Sequence, residues 1–218
     1  MTAAVDTKSS RHLETRERLL LTALRLYAAH GLHAVSLRRI SAEAGSKNSA
    51  AMHYHFHNKQ GVLEALMAMI GRELGRIAKS LRSDQPRERS LRQACRATLQ
   101  PLVLLRSSQP WGDDATRFLS RLASEESAEI ATLVNSAYAP FWQRMDKALS
   151  RELPQLPAPV RRLRVMFITT NVVHGVAEAG WLGHSPLGDL SHFDQDTLVD
   201  HLVDFVIGGL VAPSHANA

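Results

Sequence analysis

Helix-breaking residues divide this chain at intervals that suit α-helices. Gly31, Gly45, Asn58, Pro86, Gln109-Pro110 and the stretches 125–127, 154–159 and 183–194 separate segments whose apolar residues recur every three to four positions. In the first segment, about 11–30, Leu20, Leu24 and Tyr27 form the stripe and Gly31 is placed to stop it. Ser36 stands where an N-cap belongs before a short second helix, whose buried edge is Leu37, Ile40 and Ala44. A third short helix, about 49–55, offers Ala51, Met52 and Phe56 to a core. Asn58 can cap a fourth, striped by Leu63, Leu66, Ile70, Leu74, Ile77 and Leu81. Further helices are expected near 88–107, 113–124, 128–152, 160–182 and 195–211. No strand alternation and no internal repeat is found, so the predicted fold class is all-α with about nine helices. Residues 1–9 are small and polar without periodicity and read as a disordered arm.

Charge is unevenly distributed. Residues 1–59 carry nine Lys or Arg against four acids, whereas the remaining residues carry 17 of each sign. The whole formal excess of +5 therefore lies in the first quarter, the footprint expected of a nucleic-acid binder. The single cysteine, Cys95, permits neither an intrachain disulfide nor a cysteine-based zinc site, which suits a reducing cytoplasm. Residues 1–12 contain no apolar signal-peptide core. No uninterrupted apolar run approaches the roughly 20 residues needed to span a bilayer, so no membrane partner is expected.

Catalysis finds no purchase. There is no Gly-x-Ser-x-Gly, no phosphate-cradling glycine loop, and no histidine near Cys95 in a helical pattern. His53 and His57 are i, i+4 with His55 between them, but no third metal ligand follows, and no metal or cofactor is expected. Asp196, Asp200, His201 and Asp204 share helical spacing and read as a solvated acidic face.

Two short helices joined at a glycine-containing turn describe a helix-turn-helix, whose second helix fits the major groove. The string Val35-Ser36-Leu37-Arg38-Arg39-Ile40-Ser41-Ala42-Glu43-Ala44-Gly45, then Ala51-Met52-His53-Tyr54-His55-Phe56, Lys59 and Leu63, resembles the TetR family of regulators. The resemblance extends to Tyr27 and Gly31 before it and covers about 50 residues. Two departures mark it. The turn Ala44-Gly45-Ser46-Lys47-Asn48-Ser49 is one residue longer than the family's, and Ser41 stands where alanine is usual.

What the resemblance implies can be placed by residue. Tyr54 and Lys59 correspond to phosphate contacts, and His53 to a position that often serves the same end. Lys47, Asn48, Ser49 and Ala50 are the base-edge candidates, since Asn can pair with adenine and Ala can touch a thymine methyl. Arg38 and Arg39 can reach the backbone from the second helix, and Lys8 and Arg11 a minor groove. Residues 1–59, with the arm 1–10, form the expected DNA-binding domain, and residues 60–218 an effector-binding and dimerisation domain.

In that second part, residues 160–182 and 195–211 are apolar on most sides. Met166, Phe167, Val172, Val173 and Val176 lie on the first; Leu198, Val199, Leu202, Val203, Phe205, Val206, Ile207 and Leu210 nearly encircle the second. Helices of this kind need burial on more than one face, and a second copy of the chain supplies it. A two-fold dimer then presents two recognition helices to a palindromic operator. Ordinary core or the lining of an apolar effector pocket both account for Trp111, Phe118, Tyr138, Phe141, Trp142, Met145, Phe167 and Thr170. Asn171 and His174, polar on an apolar helix, are the more informative pair. The resemblance implies a repressor released by a small, largely apolar effector. An activator, a ligand-independent DNA-binding protein, and a ligand-binding module with degenerate DNA binding stay open.

Overall fold

In the computed structural model the described residues are 3–46, 50–82, 90–186 and 188–213, with side chains from His12 onward. They form nine α-helices and one 3-10 helix, with no strand among them. The chain divides into two compact units, Met1–Arg72 and Glu73–Ala218. The division falls within the fourth helix.

Unit one begins with α1, Ala3–His30. It starts well before the expected position, so the arm expected at 1–10 is helical from Ala3. Apolar periodicity reports burial, not helicity, and no Gly or Pro interrupts residues 3–30. The Gly31 N–H closes the helix on the Tyr27 carbonyl at 2.9 Å. Helix α2, Leu37–Glu43, is capped as expected, the Ser36 hydroxyl accepting from the Arg39 N–H at 3.1 Å. Its far end is a Schellman closure. The Ser46 N–H bonds the Ser41 carbonyl at 2.9 Å and the Gly45 N–H bonds that of Ala42 at 3.1 Å. The motif requires the left-handed residue at its corner, and Gly45 supplies it with φ +69°.

Helix α3 is Ala50–Phe56 and α4 is Lys59–Arg82. Asn58 caps α4, its Oδ1 accepting from the Gly61 N–H at 2.9 Å. A Cβ on Gly61 would lie 2.1 Å from the Phe56 carbonyl oxygen, so only glycine lets α4 start this close to the end of α3. The core of the unit gathers Leu20, Leu24, Tyr27, Ile40, Met52, Phe56, Leu63 and Leu66. Of the edges expected to be buried, Leu37 and Ala51 are only half-buried.

Unit two holds the rest of α4 and five further α-helices: α5 Leu91–Ser108, α6 Gly112–Ala123, α7 Ala128–Glu152, α8 Ala158–Ala177 and α9 Gln195–Val211. A capping box opens α5, in which Ser90 and Gln93 satisfy each other's backbone N–H groups at 3.1 and 3.3 Å. Asp194 caps α9 through the Thr197 N–H at 2.8 Å. The helix expected over 160–182 stops at Ala177. A 3-10 helix, Ala179–His184, follows it, because Gly180 and Gly183 weaken an α-helical continuation. Pro101 and Pro140 sit inside α5 and α7, where each forgoes one backbone bond without ending the helix.

Leu91, Cys95, Leu99, Val103, Met145, Leu149, Val165, Val172, Val199, Val203, Val206 and Leu210 make one continuous core. Burial pushes the Cys95 thiol up to about 11, so the group is held as an inert thiol. The acidic stripe of α9 is not simply solvated, as its spacing had implied. Arg96 bonds Asp200 and, at 3.3 Å, Asp196. Arg92 bonds Asp204 and lies 3.5 Å from Asp200. Two arginines one turn apart on α5 thus face three aspartates one turn apart on α9.

Candidate nucleic-acid interface and effector cavity

The geometry of α3 follows from its two buried residues. Met52 and Phe56 are i, i+4 and lie in the core, which turns Ala50, His53 and Tyr54 outward. Tyr54 is 71% exposed, so its ring is not a core element. His53 is held by its ring Nδ1, 2.8 Å from the His57 carbonyl oxygen, and His57 adopts φ +62° in the link to α4. Lys47, Asn48 and Ser49, three of the four base-edge candidates, lie outside the described residues.

The basic candidates differ in their freedom. Arg38 is exposed on α2. Arg39 donates to Glu43 at 3.2 Å, and Glu43 also accepts from Arg25 of α1 at 2.7 Å. The hydrogen bonds from Arg25 and then Arg39 hold the Glu43 carboxyl below its ordinary pKa. Lys59 is engaged inside the unit. Its ammonium donates to the Leu32 carbonyl and lies 5.8 Å from the centre of the Tyr27 ring. Burial raises the Tyr27 phenol to about 12.

The same face carries residues that sequence reasoning missed. His12 of α1 meets the Tyr54 ring edge-on at 5.4 Å and the His55 ring at 4.4 Å, and the Arg16 guanidinium lies over Phe56 at 5.1 Å. Burial first, then the charges of His12 and Arg16, lower the His55 pKa. The signal was the i, i+4 pair His12 and Arg16 on the polar side of α1. What they pack against is invisible from within one helix.

Unit two contains a cavity of about 1070 Å³ bounded by α5, α6, α8, the 3-10 helix, the loop after it and α9. Of the residues proposed for an effector pocket, Thr170, Asn171 and His174 line this cavity. The other expected residues do not. Phe118 and Met145 are fully buried in the core. Trp142 lines a separate hollow of about 320 Å³ and donates its indole N–H to the Thr169 hydroxyl at 3.1 Å, with the Tyr138 ring stacked on it at 6.0 Å. The Tyr138 hydroxyl is buried without a hydrogen-bond partner among the described residues, and burial raises it to about 12. Phe141 is partly buried against the core, Trp111 is half-buried at the start of α6, and Phe167 is exposed. Polar groups missed by the sequence reading, Arg106, Asp113 and Glu178, also line the cavity.

Among the described residues no cluster of His, Cys, Asp or Glu could hold a metal ion, and no helix is long and apolar enough to cross a membrane.

A capped short helix, a tight glycine turn and a second short helix with an exposed polar face define a helix-turn-helix DNA-binding protein. Comparison with known proteins carries this further. Residues 19–66 match the family model for bacterial regulatory proteins of the tetR family, and residues 96–209 match the tetracyclin repressor-like C-terminal domain. The chain belongs to the TetR family and is a non-enzymatic, DNA-binding transcriptional regulator. No curated protein sequence matches significantly.

Solved structures share the fold at low identity. A protein from Rhodococcus sp. described as a TetR-family transcriptional regulator aligns at 15% identity over 90% of this chain and 99% of its own, with a TM-score of 0.63. FadR from Bacillus subtilis, solved in complex with stearoyl-CoA, aligns at 13% over 88% and 98%, with a TM-score of 0.60. AibR, solved in complex with isovaleryl coenzyme A and operator DNA, aligns at 17% over 92% and 100%, with a TM-score of 0.58.

Proposed function

We propose that this protein binds a palindromic operator as a homodimer in the cytoplasm, represses transcription there, and is released by a small, largely apolar effector. The observation that carries the reading is the division of α3, with Met52 and Phe56 buried behind an outward face of Ala50, His53 and Tyr54. On this reading residues 1–59 contact DNA. Tyr54, His53 and Lys59 take phosphates, Arg38 and Arg39 support them from α2, and Lys47, Asn48, Ser49 and Ala50 approach base edges.

Residues 60–218 receive the effector and dimerise. The exposed apolar residues of α8 and α9 support a second copy as their cover: Leu163, Met166, Phe167 (59% exposed), Phe205 (66%) and Val211. Thr170, Asn171 and His174 are the effector contacts carried forward from the sequence. Two fold neighbours solved with acyl-coenzyme A compounds, one of them also with operator DNA, support a ligand acting on DNA binding. Coupling would run along α4, which is continuous across the two units, and can equal only the effector's preference between two states of the dimer.

Fluorescence anisotropy on DNA from the protein's own upstream region, across a salt series, tests the reading. Sequence-selective affinity that falls steeply with salt and drops about tenfold or more in Tyr54→Ala is expected. Binding indifferent to sequence and to Tyr54→Ala would overturn it. Tyr54 is the cleaner probe because its ring is exposed, whereas Lys59→Glu also removes a bond to Leu32.

A further inference from the structure

The large cavity of unit two has a wall whose charge is one-sided. Most of it is apolar, with Val103, Leu182, Leu190, Leu198, Leu202 and the Trp181 indole. Arg106 is the one Lys or Arg on it among the described residues, and it already holds a carboxylate. Its Nε and Nη2 both donate to one oxygen of Asp113, at 3.1 and 2.9 Å, and Asp113 belongs to the same wall. Arg117 meets the other oxygen of Asp113 at 2.9 Å but does not line the cavity.

Glu178 is different. It follows the last residue of α8, lines the cavity, and has no ion pair among the described residues. Trp181 stands three residues later and is 67% exposed, so its ring face is available. One turn before Glu178, His174 is fixed through Nδ1 by the Ser120 hydroxyl at 2.6 Å and lines the same space.

A carboxylate without a counter-ion and an aromatic face both attract a cation, and both repel or ignore an anion. We propose that this cavity takes an apolar molecule bearing a cationic nitrogen, its body among the leucines and its head between the Glu178 carboxylate and the Trp181 ring. This ligand class departs from the acyl-coenzyme A compounds held by two fold neighbours, whose phosphates would meet the unpaired Glu178 carboxylate, with Arg106 already bonded to Asp113. The regulatory meaning of the site rests on the effector reading above; its existence does not.

Calorimetric titration of the full-length protein with octyltrimethylammonium, octan-1-ol and octanoate separates head group from tail, because the three share one alkyl chain. The ammonium is expected to bind about tenfold or more tighter than octanoate, a difference of the size one charge contact supplies. Glu178→Gln, at an exposed position that should not disturb folding, is expected to bring the ammonium down to the level of the alcohol while leaving the alcohol unchanged. A preference for octanoate, an ammonium affinity indifferent to Glu178→Gln, or no binding by any probe would each overturn the proposal. Repeating the titrations in the operator anisotropy assay keeps the two readings apart. An ammonium that binds in the expected order yet leaves operator affinity unchanged upholds the cavity assignment and removes the effector-release reading. Octanoate that binds best and releases DNA does the reverse.

Discussion

The two units are held together by different kinds of interaction. In unit one the devices that set the ends of α2 to α4 are local and involve the backbone: the Ser36 cap, the Schellman closure at Gly45, the left-handed His57, the Asn58 cap and the bare Gly61 Cα against the Phe56 carbonyl. Each spans a few residues. In unit two the decisive polar contacts join residues far apart in sequence, such as Arg96 with Asp200, Ser120 with His174 and Trp142 with Thr169. On the proposed function, unit one must hold a fixed backbone outline against the groove, which short-range devices secure. On the same proposal, unit two needs space that can vary to take an effector, which side-chain pairing between helices allows.

The largest expected effect tests the backbone half of that contrast. Gly61→Ala forces a methyl to within 2.1 Å of a carbonyl oxygen that cannot swing away, and should cost about 2–3 kcal/mol of stability. Chemical denaturation measures it, and a variant as stable as the parent would show that the start of α4 is not locked by close approach. Ser36→Ala removes one cap and should cost about 1 kcal/mol. The same denaturation series reports it, with circular dichroism checking that α2 is retained. A loss well below that figure would mean that packing of Ile40, rather than the cap, sets the start of α2.

The pH dependence sharpens the other half. Glu73 is buried in unit two. Arg76 holds it through two bonds, at 2.9 and 2.7 Å, and is the main cause that pulls its carboxyl down to about 2, with Ser108 and then Gln109, at 3.3 Å, adding smaller pulls. A carboxylate depressed in the folded state stabilises fully above its ordinary value of 4.5 and loses that contribution as pH falls through about 2. Solvent around the largely exposed Arg76 keeps the effect modest. Acid denaturation between those pH values should therefore be shallower in Glu73→Gln than in the parent. Parallel curves would show that Glu73 does not contribute to the acid limb.

How much of this was legible follows from the same contrast. Ser36, Gly45, Asn58 and the buried pair Met52 and Phe56 were readable because caps, turns and the helical period act within a few residues. The early start of α1 was not, since small polar residues carry a helix without leaving a stripe. The cavity was readable only through Thr170, Asn171 and His174, which share one helix. Its charged residues, Arg106, Asp113 and Glu178, come from three separate stretches and gain meaning only when the fold joins them. Phe118 and Met145 looked like pocket lining because an aromatic or a methionine on a helix is equally suited to core, and packing decided for core.

The smallest effect comes from the ladder between α5 and α9, where the sequence did hold a signal that could have been used. Arg92 and Arg96 are i, i+4, as are Asp196, Asp200 and Asp204, so either stripe can face the other in register. Asp200 sits between both arginines, yet all five side chains keep substantial contact with water. Exposed pairs of this kind contribute a few tenths of a kcal/mol each and are screened by salt. Asp200→Asn should therefore cost about 0.5 kcal/mol at low ionic strength, and the difference from the parent should shrink towards zero in about 1 M salt, where the Debye length is about 3 Å. A loss of several kcal/mol that salt does not touch would mean that the ladder positions α9 as rigidly as the caps position α2, and the contrast between the two units would then fail at this seam.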